Sequence, residues 1–151
     1  MTNLLRDCQM LEFPQAKGSV FLQEGLIHRT SKGLAVRSKS ELIIAEALTN
    51  AGISFEYEKA LTLGGQTRYP DFTIEDEISG RTIYWEHLGM LERPDYRRSW
   101  EKKLGWYHAH DVREAEQGGG SQGLLLTTQE SSTTGFDAAG VQALIKRHIA
   151  S

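Results

Sequence analysis

Two acidic residues, Asp71 and Glu86, are spaced so that they would face each other across a β-hairpin. A four-residue loop at 77–80 pairs residues whose numbers sum to 157, and these two satisfy that sum. Opposed residues on one face of an antiparallel pair have Cβ atoms roughly 4.5–5.5 Å apart. Side chains alternate along a strand, so any register with an odd sum keeps both carboxylates on the same face.

Two carboxylates held this close repel each other unless a cation lies between them. Mg²⁺ prefers one or two carboxylates together with water and phosphate oxygens, so a bound Mg²⁺ would resolve the repulsion. Two alternatives stand beside this interpretation: both carboxylates face solvent, or one of them pairs with Arg68 or Arg81. The apolar residues around both positions disfavour full exposure. The pattern therefore favours a metal site at Asp71 and Glu86.

The elements that must position these carboxylates belong to a chain of 151 residues, of which 39% are hydrophobic and 25% charged. These values are typical of one globular domain. The formal net charge of -3 excludes a protein that is basic over its whole surface, although it allows a local basic patch. The single cysteine, Cys8, excludes an internal disulfide and a cysteine-based zinc site. Apolar runs are too short to span a bilayer, and the N-terminus lacks a secretory pattern, so we expect a cytoplasmic protein.

The sequence predicts the order helix, three strands, helix, strand, helix. The predicted helices cover 38–52, 94–108 and 138–149, and the predicted strands cover 53–58, 68–74, 81–87 and 123–128. We expect residues 37–151 to form one domain and residues 1–36 to be an N-terminal extension packed on its core. Leu4, Leu5, Cys8 and Leu11 suggest a short helical piece in that extension, and the glycines of 117–121 suggest a flexible loop.

Five motifs together resemble those of the PD-(D/E)XK nucleases, the superfamily with the restriction-endonuclease-like fold. They are Arg37-Ser38-Lys39-Ser40-Glu41, Tyr57-Glu58, Tyr69-Pro70-Asp71-Phe72, Trp85-Glu86-His87-Leu88-Gly89 and Trp100-x-x-Lys103-x-x-Trp106-Tyr107. The resemblance covers roughly two-thirds of the chain. The chain is similar to a branch of this superfamily that occurs both as stand-alone proteins and as domains fused to helicases, often in phage, mobile-element or DNA-processing settings.

The resemblance implies an α/β fold with a helix–three strands–helix–strand core, in which helices flank a mixed central sheet. It also implies Mg²⁺-dependent hydrolysis of DNA phosphodiester bonds, with Mn²⁺ as a substitute and RNA as a further possible substrate. Asp71 and Glu86 would bind the metal, with the backbone carbonyl of His87 as another ligand. The metal would polarise the phosphoryl oxygen and lower the pKa of the attacking water.

Glu41 corresponds to a glutamate that many members use for a second metal or for orienting water. It is also the third residue after Ser38 in the S-x-x-E spacing of a capping box. In such a box the carboxylate satisfies backbone N–H groups without any catalytic duty. The residue chemistry leaves both roles open, and the resemblance favours a catalytic one.

The sequence departs from the family pattern at Leu88, where the third strand normally carries a lysine that helps to orient the nucleophile. Lys103 is our candidate replacement, because it shares one stripe of the second predicted helix with Tyr96, Trp100 and Tyr107. The alternative is that the stem of Lys103 packs while its ammonium group reaches water. Lys39 and His87 are weaker substitutes, and the His87 ring is expected to point away from Glu86 as a packed histidine.

Contacts with nucleic acid are expected from local positive charge. The stretch 28–39 contains several basic residues and no acidic one, and the second predicted helix adds a further group. The predicted contacts are Arg29, Lys32, Arg37, Ser38, Lys39, Arg97 and Arg98. Phosphate contacts of this kind position a nucleic acid without reading its bases. Ordinary surface charge is the alternative interpretation.

Leu88 also supports a different class of function. A catalytically silent nucleic-acid-binding module, serving a helicase or another enzyme, would have no need of the missing lysine. A structural protein with an incidental carboxylate pair is a third hypothesis. Many nucleases of this kind act as homodimers, so a second copy of the chain is a possible partner.

Overall fold

A computed structural model describes residues 26–149. The strands are β1 (His28–Arg29), β2 (Ala35–Val36), β3 (Glu56–Tyr57), β4 (Leu61–Leu63), β5 (Gln66–Arg68), β6 (Phe72–Asp76), β7 (Arg81–Leu88), β8 (Val112–Glu114) and β9 (Gly123–Gln129). The helices are α1 (Lys39–Asn50), α2 (Pro94–Ala109) and α3 (Ala138–His148). None of these described helices is both long enough and apolar enough to pass through a bilayer.

Five of the described strands form one mixed sheet in the spatial order β3, β6, β7, β9, β8. The pairs β3–β6 and β6–β7 are antiparallel, whereas β7–β9 and β8–β9 are parallel. Helices cover both faces of this sheet, so the structure confirms the expected α/β class with a mixed central sheet.

The core divides into two layers because side chains alternate along β7. Trp85 and its neighbours on the same face pack against α1 and α3, and this layer includes Phe72, Ile83, Ile44, Leu48, Val141 and Ile145. Tyr84 and Leu88 lie on the opposite face and pack against the aromatic residues of α2. The face that carries Tyr84 also carries Glu86, two residues further along the strand.

The predicted hairpin register is confirmed. Phe72 pairs with Trp85, and Asp76 pairs with Arg81. Asp76 also closes the turn, because its carboxylate accepts hydrogen bonds from Ile78 N at 3.2 Å and from Ser79 Oγ at 2.9 Å. This capped four-residue turn keeps β6 and β7 from slipping by one residue, which would reverse the faces of Asp71 and Glu86.

Two predicted strands are shorter than expected. The segment 53–58 pairs only at β3, and the segment 68–74 is divided between β5 and β6. β5 turns back on β4 around Gly64 and Gly65, which have φ values of 60° and 78°. Pro70, which lies between the two strands, has no N–H to donate to a ladder. Asp71 therefore immediately precedes β6 and does not lie within a strand.

The glycine-rich segment 117–121, which was predicted to be a flexible loop, is held in a defined conformation. Ser121 N donates to Asp111 Oδ2 at 2.8 Å, and the Arg81 guanidinium donates to the carbonyls of Gly118 and Gly120, both at 3.0 Å. A Cβ atom at Gly120 would lie 2.0 Å from the Asp111 carbonyl oxygen. Glycine is needed there because the two backbone segments approach so closely.

Part of the predicted N-terminal extension lies against α1. β1 and β2 pair with each other, and between them Ser31 N donates to Glu46 Oε1 of α1 at 2.9 Å. The helical piece predicted at Leu4–Leu11 and the rest of residues 1–25 lie outside the described residues.

Candidate functional site

Asp71 and Glu86 meet beneath α2, each with 1% of its surface exposed. Asp71 is fixed by its neighbours on both sides: its Oδ2 accepts a hydrogen bond of 2.6 Å from His87 N, and its carbonyl oxygen accepts one of 3.0 Å from Glu58 N. Continuing the β6–β7 register by one residue beyond the Phe72–Trp85 pair brings Glu86 opposite Asp71. Two carboxylates are therefore buried side by side.

The second carboxylate oxygen of Asp71, Oδ1, is buried and has no hydrogen-bond partner among residues 26–149. Burial and the negative charges of Glu41 and Glu86 raise the pKa of Asp71 well above its usual value, while Lys103 and the His87 N–H act in the opposite direction. A buried polar atom without a partner is costly. The site is therefore rich in negative charge and has an oxygen ready to accept a cation or a proton.

Lys103 supplies a positive charge to this cluster from α2. Its ammonium nitrogen lies 2.8 Å from Glu86 Oε2 and donates a hydrogen bond of 2.9 Å to the carbonyl of Tyr69. Its side chain is fully buried, so the alternative that the ammonium group reaches water is wrong. Leu88, at the position where the resemblance predicts a lysine, is 2% exposed and belongs to the apolar layer under α2.

Tyr107 holds the same oxygen of Glu86 from the next turn of α2. Its hydroxyl donates to Glu86 Oε2 at 2.5 Å. The predicted stripe of Tyr96, Trp100, Lys103 and Tyr107 is buried throughout. The stripe therefore orients Glu86 through one ammonium group and one hydroxyl group.

Glu41 lies at the start of α1 with 2% of its surface exposed. Its backbone N–H donates to Ser38 Oγ at 3.1 Å, so this half of the predicted capping box is present. The carboxylate accepts hydrogen bonds from Tyr57 OH at 2.6 Å and from Arg37 N at 3.3 Å. Burial raises the pKa of Tyr57, and the negative charges of Glu41 and Glu58 add to this shift. The hydroxyl of Tyr57 therefore stays protonated and acts as a donor.

His87 is a packed histidine, as predicted. Its Nε2 lies 2.6 Å from Glu130 Oε1, its Nδ1 lies 2.8 Å from Thr128 Oγ1, and its ring meets Phe136 edge-on. Burial lowers the pKa of His87, and Glu130 opposes that shift. The backbone carbonyl of His87, the predicted metal ligand, accepts a hydrogen bond of 3.4 Å from Tyr96 OH.

No motif or spacing in the sequence indicates a role for Glu130. It follows β9 and accepts hydrogen bonds from Ser40 Oγ and His87 Nε2 on the same carboxylate oxygen. Ser40 adjoins Glu41, and His87 adjoins Glu86. Glu130 thus joins the start of α1 to the end of β7, the two segments that carry these carboxylates.

The residues present suit a hard divalent cation. Within residues 26–149 no three His, Cys, Asp or Glu side chains form a ready-made metal cage. Mg²⁺ does not need one, because it binds proteins through one or two carboxylates and keeps several waters. Asp71, with its unsatisfied oxygen, and Glu86 provide such a pair, and Glu41 is the further carboxylate whose charge reaches Asp71.

The predicted nucleic-acid contacts have different surroundings. Arg29, Lys32, Lys39, Arg97 and Arg98 are exposed. Arg37 is buried, and its Nε lies 2.7 Å from Glu58 Oε2, so its guanidinium group is engaged inside the protein. Ser38 is the N-cap of α1.

Comparison with known proteins shows similarity to an archaeal protein over part of the chain. No known family profile and no solved structure matches the chain. Over 72 residues it is 40% identical to an uncharacterized protein of Methanocaldococcus jannaschii, and the match covers 46% of this chain and 6% of that protein. The chain therefore spans only a small fraction of the relative it matches.

Proposed function

We propose that this protein is a metal-dependent endonuclease that hydrolyses DNA phosphodiester bonds in the cytoplasm. The observation that carries the proposal is the buried Asp71 Oδ1, which has no partner among the described residues and lies in a cluster of carboxylates. The resemblance of the sequence motifs to those of PD-(D/E)XK nucleases supports it. The elements α1, β3, β6, β7, α2 and β9 follow one another in the order that the resemblance implies, with β4, β5 and β8 as additional strands, and this order supports the proposal.

Asp71 and Glu86 are the proposed ligands of Mg²⁺ or Mn²⁺. When bound, the metal supplies a Lewis acid for the phosphoryl oxygen and lowers the pKa of an attacking water. Lys103 and Tyr107 hold Glu86 Oε2, which fixes the direction in which this carboxylate points. His87 N holds Asp71 Oδ2 and leaves Oδ1 directed into the site.

Glu41 has the role of a third carboxylate that orients water or contacts a second ion. Its position is set by the short hydrogen bond from Tyr57 OH. The Lys103 ammonium group takes the place of the strand lysine and balances negative charge as the phosphate is attacked.

The test is a cleavage assay on supercoiled, linear, single-stranded and branched DNA, and on RNA, with Mg²⁺ and with Mn²⁺. We expect cleavage by the wild type and none by Asp71→Ala or Glu86→Ala. Glu77→Ala is the matched control, because this carboxylate is exposed at the tip of the β6–β7 hairpin. Full activity of the Asp71→Ala variant contradicts the proposal.

A second candidate function is a catalytically silent nucleic-acid-binding module for a helicase or another enzyme. The burial of Leu88 at the usual lysine position favours it. A Mn²⁺ titration separates the two functions. A protein that binds DNA, takes up no Mn²⁺ and cuts no substrate is the silent module.

A further inference from the structure

Arg68, the last residue of β5, differs from the other arginines of residues 26–149. Three of these arginines are buried or half-buried: Arg37, Arg68 and Arg81. Arg37 pairs with Glu58, and Arg81 donates to two loop carbonyls. The Arg68 side chain has no hydrogen bond or ion pair in the described part of the chain, and its Nε is fully buried without a partner.

The contact that Arg68 does make orients its guanidinium group. This group lies over the ring of Trp106, with 5.6 Å between Cζ and the ring centroid. A ring face attracts a cation and holds a planar guanidinium group in one orientation. Among residues 26–149 no side chain or carbonyl accepts a hydrogen bond from its nitrogens, so the fork that they form is available to an external anion. Carboxylates and phosphates are the anions whose geometry matches such a fork.

Arg68 also adjoins the candidate site. The next residue, Tyr69, gives its carbonyl oxygen to the Lys103 ammonium group at 2.9 Å. Trp106 follows Lys103 by three residues, which is about 4.5 Å along the axis of α2. Arg68 is thus next in the chain to the residue that holds Lys103, and its ring partner follows Lys103 by three residues in α2. The predicted basic contacts lie elsewhere, in the 28–39 segment and at the start of α2.

We infer that Arg68 binds a backbone phosphate of the nucleic acid next to the phosphate that is cleaved. The inference rests on the proposed function for its choice of ligand. Trp106 acts as the support that keeps the fork in place before the nucleic acid arrives. The contact fixes the register of the strand in the site and reads no base.

The test measures binding of fluorescently labelled duplex and single-stranded DNA to the full chain, in EDTA, over a series of NaCl concentrations. We expect Arg68→Gln to weaken binding about tenfold and to make the slope of log K against log salt shallower by about one. Arg68→Lys keeps the charge and the stem over Trp106, so it should keep the slope while losing affinity. Arg113→Gln is the control, because this exposed arginine pairs with Asp111.

Wild-type affinity and slope in Arg68→Gln overturn the inference, and so does an equal loss in Arg113→Gln. If Arg68→Gln fails to fold, Arg68→Lys decides: full wild-type affinity in that variant overturns the claim of a fork. Binding through Arg68 without any cleavage by the wild type contradicts only the nuclease proposal. If the wild type cleaves DNA and Arg68→Gln has the affinity and salt slope of the wild type, only the phosphate site is contradicted. Failure of the wild type to bind any nucleic acid contradicts both.

Discussion

The Lys103 ammonium nitrogen lies 2.8 Å from Glu86 Oε2, and neither side chain has more than 1% of its surface exposed. This pair joins α2 to the central strand β7. Removing one partner of a buried ion pair leaves the other charge uncompensated, which is far more costly than removing both. The pair is therefore a sensitive point for both stability and the proposed chemistry.

We expect Lys103→Met to abolish cleavage and to lower the free energy of unfolding by about 3–5 kcal/mol, because Glu86 is left buried with its charge unpaired. Urea denaturation at neutral pH measures this loss. The double variant Lys103→Met with Glu86→Gln should recover much of the stability without recovering activity. Equal stabilities of Lys103→Met and the wild type contradict the prediction.

Asp71→Asn should stabilise the metal-free protein increasingly as the pH rises. Because the native pKa of Asp71 is raised above the usual 3.8, the native state binds more protons than the unfolded state above that pH. The stability of the wild type therefore falls as the pH increases through this window. Asparagine cannot ionise, and it can still accept the His87 N–H bond.

Thermal unfolding of both proteins in EDTA, from about pH 4 to about pH 8, tests this expectation across the range in which an Asp with a raised pKa titrates. The Tm of Asp71→Asn should exceed that of the wild type by an amount that increases with pH. Added Mg²⁺ should reduce this difference, because it binds only the native wild type. A gap that stays constant with pH contradicts the assigned shift of the Asp71 pKa.

Tyr107→Phe should weaken Mn²⁺ binding and cleavage about 10–100-fold, the usual cost of losing a group that orients a metal ligand. The variant removes only the hydroxyl that donates to Glu86 Oε2. Tyr84→Phe is the matched control, since the Tyr84 ring packs in the same apolar layer. Electron paramagnetic resonance of Mn²⁺ gives the affinity directly. Equal effects of the two variants would rule out a positioning role for Tyr107.

Glu130→Ala should loosen the start of α1 from the end of β7. It removes the acceptor shared by Ser40 and His87, and a hydrogen bond to a charged group contributes about 1.5–3 kcal/mol. Glu130→Gln retains an acceptor and should stay close to the wild type in urea denaturation. Glu116→Ala, at an exposed position, is the control. An Ala variant as stable as the Gln variant contradicts the bridging role.

Gly120→Ala should destabilise the protein, because its new Cβ would lie 2.0 Å from the Asp111 carbonyl and would force the 118–123 segment away. Gly105→Ala in α2 is the contrasting variant. It has open space around it, and it should gain about 1 kcal/mol from helix propensity. By calorimetry, Gly120→Ala should lower the Tm relative to the wild type and Gly105→Ala should raise it. An unchanged Tm in Gly120→Ala would show that the 118–123 segment is not fixed.

The parts of the site that the sequence predicts are those governed by regular spacing. Alternation and a four-residue turn determine the opposition of Asp71 and Glu86, and the helical stripe brings Lys103 onto Glu86. The role of Glu130 could not be predicted in this way, because it follows a strand and reaches its partners only through the tertiary fold. The pairing of Arg37 with Glu58 could likewise not be predicted from local charge, because the two residues are 21 positions apart in the chain.

The placement of Arg68 depends on where a strand is interrupted. Sequence alternation predicts one strand over 68–74, whereas the proline and the β4–β5 turn divide it. The division releases Arg68 from the central sheet and allows it to lie on Trp106. A period-two pattern cannot reveal such a break when the residues on both sides still alternate.

The parallel pairing of β7 with β9 constrains the order in which the candidate site forms during folding. Parallel neighbours require a long crossover, and here the crossover contains α2, which delivers Lys103 and Tyr107 to Glu86. The antiparallel β6–β7 hairpin, with its contacts close in sequence, can form early, but the lysine arrives only when the crossover helix docks. Formation of the Lys103–Glu86 pair during refolding should therefore lag behind hairpin formation and follow the rate at which α2 docks onto the sheet.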